Sequence, residues 1–273
     1  MQPLLVATDL DSCLLDESYR HDAAEPALAA LRRAGVPVVL ASSKTRAEML
    51  PLWQELGIRA PFIVENGGAL VMSEDPGDPR VRLEGELFVL PLGVPRQRLV
   101  AELPGIGSES ASRLVGFAEM TLERIAALTG LAPAAAQAAA EREYDEPFLC
   151  EEGDLVRVQA AAERRGLRVT RGGRFLHLCG PVDKGQALKE LLGILERQGR
   201  RYLSVGFGDS PNDLGLLRAV DRPIVVPRPD GVPDPVLSAE LPGAEQAPDP
   251  GPVGWNAAVL ALLADQELPR LTR

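Results

Sequence analysis

Leu4-Leu5-Val6-Ala7-Thr8-Asp9-Leu10-Asp11-Ser12-Cys13 joins an apolar run to two carboxylates one residue apart. Uninterrupted apolar residues suit a strand buried on both faces, as in a parallel sheet. On a strand, side chains at i and i+2 share a face. Asp9 and Asp11 are thus expected together at the carboxyl edge, where open α/β sheets hold ligands. Like charges so close need a cation or a shared proton, although a solvated strand end with an N-cap would use the same residues. A second run, Tyr202-Leu203-Ser204-Val205-Gly206-Phe207, leads into Gly208-Asp209-Ser210-Pro211-Asn212-Asp213. Side by side in a parallel sheet, the two strands would pool Asp9, Asp11, Asp209 and Asp213 into a set of hard oxygen ligands suited to Mg²⁺.

The composition narrows the class. The 273 residues are 45% hydrophobic and 25% charged, enough for a full core in one large or two modest domains. No apolar stretch reaches the length of a membrane span, and no signal peptide is legible at the N-terminus. Cys13, Cys150 and Cys179 cannot all pair and lack metal-ligand spacing, so reduced thiols in the cytoplasm are expected. A formal charge of −10 argues against a nucleic-acid partner. Among 29 basic residues only Lys44, Lys184 and Lys189 are lysine. Where lysine persists against an arginine default, a compact ammonium is the expected requirement. Lys44 follows the strand Val36–Ala41, and Lys184 opens the helix Lys184–Arg197; Lys189 reads as a solvated side chain.

The first 70 residues read as β-α-β-α-β: Leu4–Thr8, Ala23–Arg33, Val36–Ala41, Thr45–Leu56 and Phe62–Val64. The same grammar returns after Lys184, with a strand at Ile224–Val226 and a closing helix at Asn256–Ala264. The middle differs, with short alternating segments at Val81–Leu83 and Leu87–Leu90, then alanine-rich helices at Leu122–Leu128 and Ala134–Arg142. A strand at Phe148–Cys150, a helix at Leu155–Arg165 and a hairpin over Val169–Leu178, turning at Arg171-Gly172-Gly173-Arg174, complete it. This predicts an α/β fold, a Rossmann-like parallel-sheet core (1–80 and 181–273) with an inserted α+β cap (81–180). The Pro/Gly-rich stretch Pro227–Pro252 reads as ordered loop.

With these residues in place, the chain resembles the haloacid-dehalogenase superfamily of phosphatases over nearly its whole length. Asp9-Leu10-Asp11, Ser42, Lys184 and Gly208-Asp209 through Asp213 are similar to its four motifs, in order. The insert resembles a type IIB cap. Within that branch, Ser42-Ser43-Lys44-Thr45-Arg46, Glu65-Asn66-Gly67-Gly68 and Tyr144-Asp145-Glu146-Pro147-Phe148 resemble the mannosyl-3-phosphoglycerate phosphatase family. So do Gly172-Gly173-Arg174-Phe175-Leu176-His177 and Pro250-Gly251-Pro252-Val253-Gly254-Trp255. One departure is Ser12-Cys13, where that family usually has Gly-Thr.

The resemblance implies attack by Asp9 on phosphorus to give an aspartyl-phosphate, with Asp11 as general acid and then base. It implies Mg²⁺ on Asp9, Asp209 and the Asp11 carbonyl, with Asp213 either a metal ligand or an orienter of Lys184. Lys184 and Ser42 would hold the phosphoryl oxygens. Ser43, Lys44, Arg46, Asn66, Gly67, Arg174 and His177 would bind a phosphorylated sugar-glycerate, the cap reading the part beyond the phosphate. Simpler readings stand beside these: Ser42 as an N-cap, Asn66-Gly67 as a tight turn, His177 as a packed core residue. Alternatives at the level of function are another sugar-phosphate phosphatase, a phosphomannomutase-like transferase and a silent sugar-phosphate sensor. The sequence assigns no oligomeric state.

Overall fold

The computed structural model describes residues 2–171 and 174–267, so Gly172 and Gly173 of the expected cap turn lie outside the described residues. The chain begins with β1 (Leu4–Thr8), α1 (Glu25–Ala34), β2 (Val38–Leu40), α2 (Arg46–Glu55) and β3 (Phe62–Val64), the expected alternation. Then come β4 (Ala69–Met72), β5 (Arg82–Glu84), β6 (Leu87–Pro91), α3 (Arg96–Ser110) and β7 (Arg113–Gly116). Helices α4 (Leu122–Thr129) and α5 (Pro133–Ala140) precede β8 (Asp145–Glu152), α6 (Leu155–Glu163), β9 (Arg168–Arg171) and β10 (Leu176–Cys179). The last part holds α7 (Lys184–Arg197), β11 (Leu203–Gly208), α8 (Leu214–Arg218) and β12 (Arg222–Val225). It closes with α9 (Pro235–Glu240), β13 (Glu245–Gln246) and α10 (Gly251–Glu267). Among the described residues no helix is long and apolar enough to cross a membrane.

Five strands form a parallel sheet in the order β13-β12-β11-β1-β2. A parallel bridge between Ala41 and Ile63 carries it to β3, and antiparallel pairing extends it through β4, β6 and β5. Along β1 the side chains alternate between two apolar layers. Leu4 and Val6 pack with Leu28 and Leu31 of α1 and with Phe207, Trp255 and Val259, while Leu5 and Ala7 pack with Leu188, Leu191 and Ile194 of α7. Each such fully buried aliphatic side chain is worth roughly 1.5–3 kcal/mol. This double burial explains why the strands read as continuous apolar runs. A separate antiparallel sheet, β7-β8-β10-β9, carries α3 and α6 through Leu99, Leu103, Ile106, Phe148 and Val158. The architecture is thus a Rossmann-like α/β core with an α+β cap, as expected from the chain.

Three local differences have physical causes. Helix α3 was hidden by Pro104 and by glycines at 105 and 107, although its buried stripe Leu99, Leu103, Ile106 has helical spacing. Strands β5 and β6, expected in the cap, pair with β4, because Leu70 and Leu90 share the layer under α7. Inside the expected loop after Pro227, Asp234 caps α9 by accepting the Val236 N–H at 2.8 Å, and Leu237 is buried.

The amino end of α7 rests on the turn after β3. Gly67 has φ +102°, and a Cβ there would lie 2.2 Å from the Asp183 carbonyl oxygen. Its role is close approach of two backbones, which seats Lys184. Gly67→Ala is therefore expected to cost at least about 3 kcal/mol, from strain and overpacking together. Urea denaturation would measure this, and an unchanged midpoint would show that the turn and α7 separate freely.

Candidate active site

Sheet register builds the site. Thr8 pairs with Phe207 on one side and Leu40 on the other. Asp9, Asp209 and Ser42 each lie just beyond these matched residues, at the carboxyl edge. The expectation that Asp9 and Asp11 share a strand face needs amendment: β1 stops at Thr8 and the chain turns through Ser12, at φ +61°. Asp9 is buried, whereas the Asp11 side chain is 43% exposed. Ser12 occupies a left-handed conformation that favours glycine, which gives the departure from Gly at this position a physical meaning.

The centre is a buried ion cluster. Lys184 Nζ donates to Asp9 Oδ1 and to Asp213 Oδ1, each at 2.6 Å, and both Lys184 and Asp213 are fully buried. The other oxygen of Asp213 accepts from the main-chain N–H groups of Asp209 and Ser210, each at 3.2 Å, and from the Ser210 hydroxyl at 3.1 Å. Both carboxylate oxygens of Asp213 are thus engaged, one by Lys184 and the other by the Asp209 turn. Burial pushes Asp9 up to about 8, with Asp213 adding and Lys184 opposing. Burial likewise raises Asp209 to about 7, again with Asp213 adding. Desolvation works against the Lys184 ammonium, but Asp213 and Asp9 outweigh it and hold it above the ordinary lysine range. One oxygen of Asp9, one of Asp209 and the Cys13 sulfur lie within 4.8 Å of one another. Among the described residues, this is the group of three side chains placed closely enough to share a cation. Cys13 is itself buried, and burial pushes its thiol well above the usual cysteine range, with Asp9 and Asp209 adding.

The loop after β2 supplies the next layer. The buried Ser42 Oγ accepts the Lys44 N–H at 3.2 Å, so its own proton stays free to donate. The helix N-cap is Thr45, in a capping box with Glu48, so Ser42 is not a cap. Lys44 Nζ donates to Asp11 Oδ2 at 2.7 Å, and Asp11 Oδ1 is buried without a partner among the described residues. Asn66 sits in the left-handed region at φ +55°, its Oδ1 likewise buried and unpartnered. That atom distinguishes it from an ordinary turn asparagine.

Other expected substrate residues are engaged with the protein. Arg46 pairs with Glu143 at 2.9 Å and Glu84 at 2.8 Å. Arg174 is exposed and donates to the Leu128 carbonyl within the cap. The Ser43 carbonyl accepts from Arg142 at 2.7 Å. His177 Nδ1, carrying its proton, donates to Asp145 Oδ2 at 2.7 Å, and Arg142 reaches the same oxygen at 3.0 Å. Desolvation opposes ionisation of Asp145, yet the facing His177 and then Arg142 outweigh it and lower its pKa. The motifs legible in the sequence contain Asp145 and Glu65 without giving either a role, and Arg142 stands there only as the end of an expected helix. Glu65, pushed up to about 7 by burial against the pull of Arg142, accepts the N–H groups of Glu143 and Tyr144, each at 2.9 Å, and so ties the cap to the core. An acid placed directly on the end of the apolar run Phe62-Ile63-Val64 is the signal for Glu65 in the sequence.

The haloacid dehalogenase-like hydrolase family matches residues 6–78. A glucosyl-3-phosphoglycerate/mannosyl-3-phosphoglycerate phosphatase from Methanococcoides burtonii is 37% identical over 266 residues, covering 95% of this chain and 97% of the relative. The chain belongs to the haloacid dehalogenase-like hydrolases. A protein of the same description from Persephonella marina is 36% identical, covering 97% and 98% of the two chains. This hydrolase also shares its fold with a solved subclass IIB sugar phosphatase, at TM-score 0.64 and 14% identity, over 96% and 99% of the chains. It is a phosphoric monoester hydrolase.

Two outcomes test the cluster. Lys184→Arg should lower kcat/KM at least about tenfold, or 1.4 kcal/mol, because a planar fork cannot sit between two carboxylates shaped around an ammonium; near-native kinetics would show that charge alone matters. The second concerns stability. Asp9, Asp209 and Glu65 have raised folded-state pKa values, so the folded chain holds protons that the unfolded chain has released. Their stabilisation is full below about pH 4 and is lost as pH rises through 7 to 8. Chelator-treated protein should melt at a lower temperature at pH 8 than at pH 6 in calorimetry. A flat or rising profile over that window would contradict the assignment.

Proposed function

We propose that this hydrolase is a Mg²⁺-dependent phosphatase of glycosyl-3-phosphoglycerates, either mannosyl or glucosyl, acting through an aspartyl-phosphate. The observation that carries the chemistry is Lys184 held between Asp9 and Asp213, with Asp209 beside them. The activities for which the relatives are named support the substrate. The buried Asp9 and the half-buried Asp209, both raised chiefly by desolvation, form a hard-oxygen pair short of positive charge, and such a pair fits Mg²⁺. Asp9, Asp209 and the main-chain carbonyl of Asp11 would hold it. When bound, the ion neutralises charge between nucleophile and phosphate.

The free Asp9 oxygen attacks phosphorus and the phosphoester bond breaks. Asp11 gives its proton to the departing glycerate oxygen, then takes one from the water that hydrolyses the aspartyl-phosphate. Lys184 has three donors, two of them on Asp9 and Asp213. Its third, with the Ser42 hydroxyl, is available to the equatorial oxygens, where transition-state charge accumulates. Lys44 is paired with Asp11, and a substrate carboxylate would compete for it. That exchange would couple recognition of the glycerate to release of the general acid. Arg46, held by Glu84 and Glu143, serves cap closure in this reading, and Arg174 and His177 contribute through the cap scaffold. Sheet pairing supports a core of 1–91 and 181–273 and a cap of 92–180. The free thiols Cys13, Cys150 and Cys179 support a reducing, cytoplasmic setting.

Asp9→Asn should abolish both turnover and phosphoryl-enzyme formation. Wild-type protein should release phosphate from glycosyl-3-phosphoglycerates in preference to hexose phosphates, and only with Mg²⁺. More than a few per cent residual activity in the variant would exclude Asp9 as nucleophile, while an even response across the substrate panel would exclude the substrate.

A further inference from the structure

Cys13 is the one member of the convergent cluster to which phosphoryl transfer gives no task. We infer that Cys13, with Asp9 and Asp209, makes this a site where thiophilic divalent ions, Zn²⁺ and Cd²⁺, bind through a thiolate and displace the hard ion. The inference rests on the reading of Asp9 and Asp209 as ion ligands and concerns a residue of this chain that the reading does not use.

The geometry is specific. Cys13 is wholly buried, its sulfur 4.0 Å from Asp209 Oδ1, and one donor atom from each of the three residues lies within 4.8 Å of the others. Tetrahedral zinc with bonds of about 2.0–2.3 Å separates its ligands by roughly 3.5 Å, so rotations closing about 1 Å would bring all three onto one ion. A thiolate is a softer donor than any other group there and favours zinc or cadmium over magnesium. Binding breaks the S–H bond, forms a sulfur–metal bond and releases the proton to water. No electrons are transferred. The thiolate adds a third negative charge, and four-coordination leaves fewer positions than octahedral Mg²⁺ offers to phosphate and water. Zinc and cadmium therefore act as inhibitors that compete with magnesium.

The other two thiols serve as internal controls. Cys150 contacts the Glu152 carbonyl and Cys179 the Arg168 carbonyl, both within the cap. The test is titration of the full chain with Cd²⁺, followed by the ultraviolet thiolate-to-cadmium charge-transfer band. One equivalent should develop the band in wild-type protein and in a Cys150→Ala/Cys179→Ala variant, and excess Mg²⁺ should weaken it. Cys13→Ser and Cys13→Thr, checked for folding by circular dichroism, should lack the band and bind Zn²⁺ at least about tenfold more weakly. Retention of band and affinity in either folded variant would overturn the inference. X-ray absorption at the zinc edge of the zinc-loaded Cys150→Ala/Cys179→Ala protein gives an answer independent of any change at Cys13. A sulfur scatterer supports the inference, and an all-oxygen or oxygen–nitrogen shell refutes it. Magnesium-activated phosphatase with sulfur-free zinc would sink this inference alone, whereas sulfur-bound cadmium without magnesium activation would sink the functional reading alone.

Discussion

The ammonium of Lys184, fully buried between the carboxylates of Asp9 and Asp213, is the interaction on which the rest of this molecule depends. Removing ions from water costs several kcal/mol each, and only close, fully hydrogen-bonded pairing offsets it. The fold meets that condition from three directions. β1 delivers Asp9, α7 delivers Lys184 at its first residue, and the turn after β11 delivers Asp213 with its second oxygen satisfied by backbone N–H groups. The cluster remains net negative, because Asp209 adds a further carboxylate to one ammonium and two acids. Burial is the main cause of the raised Asp9 and Asp209, with Asp213 adding to it, and the surplus of acid over base makes the edge of the sheet receptive to a cation.

Close backbone packing makes the cluster possible. Gly67 lies under the Asp183 carbonyl, and a Cβ on Gly185 would come within 2.0 Å of the Gly215 carbonyl oxygen. α7 can therefore sit low enough against the turns after β3 and β11 for a lysine at its amino end to reach inward. A cation there opposes the helix dipole, and the two carboxylates repay that cost.

The cap is held to the core by groups of a different kind. Glu65 accepts two N–H groups at Glu143 and Tyr144, Arg142 donates to the Ser43 carbonyl, and the Thr45 hydroxyl donates to the Ala138 carbonyl. With the Arg46–Glu143 pair, these contacts tie the loop that carries Ser42 and Lys44 to the segment preceding β8. The residues nearest the phosphoryl chemistry and those that set the cap thus belong to one hydrogen-bonded network.

Local sequence was enough for the elements whose burial is complete. β1, β3 and α7 were legible to the residue, because apolar runs and helical stripes reflect layers that cover them on both faces. The placement of Asp9, Ser42, Asp209 and Lys184 was legible too, since each lies just past a strand end or opens a helix. What the sequence could not contain was pairing at a distance. Arg46 and Lys44 look like free cations until Glu143 and Asp11 are seen beside them, and Asp145 looks like a surface acid until β8 and β10 set it against His177. Cys13 is only a departure from the family's usual Gly-Thr until the turn at Ser12 brings its sulfur to Asp209. The sequence by itself determined the fold and which acidic, serine and lysine side chains gather at the sheet's carboxyl edge, because strand ends dictate which side chains reach it. Only the tertiary structure decided which charges are neutralised and by what, because a charge's partner is set by how distant segments pack.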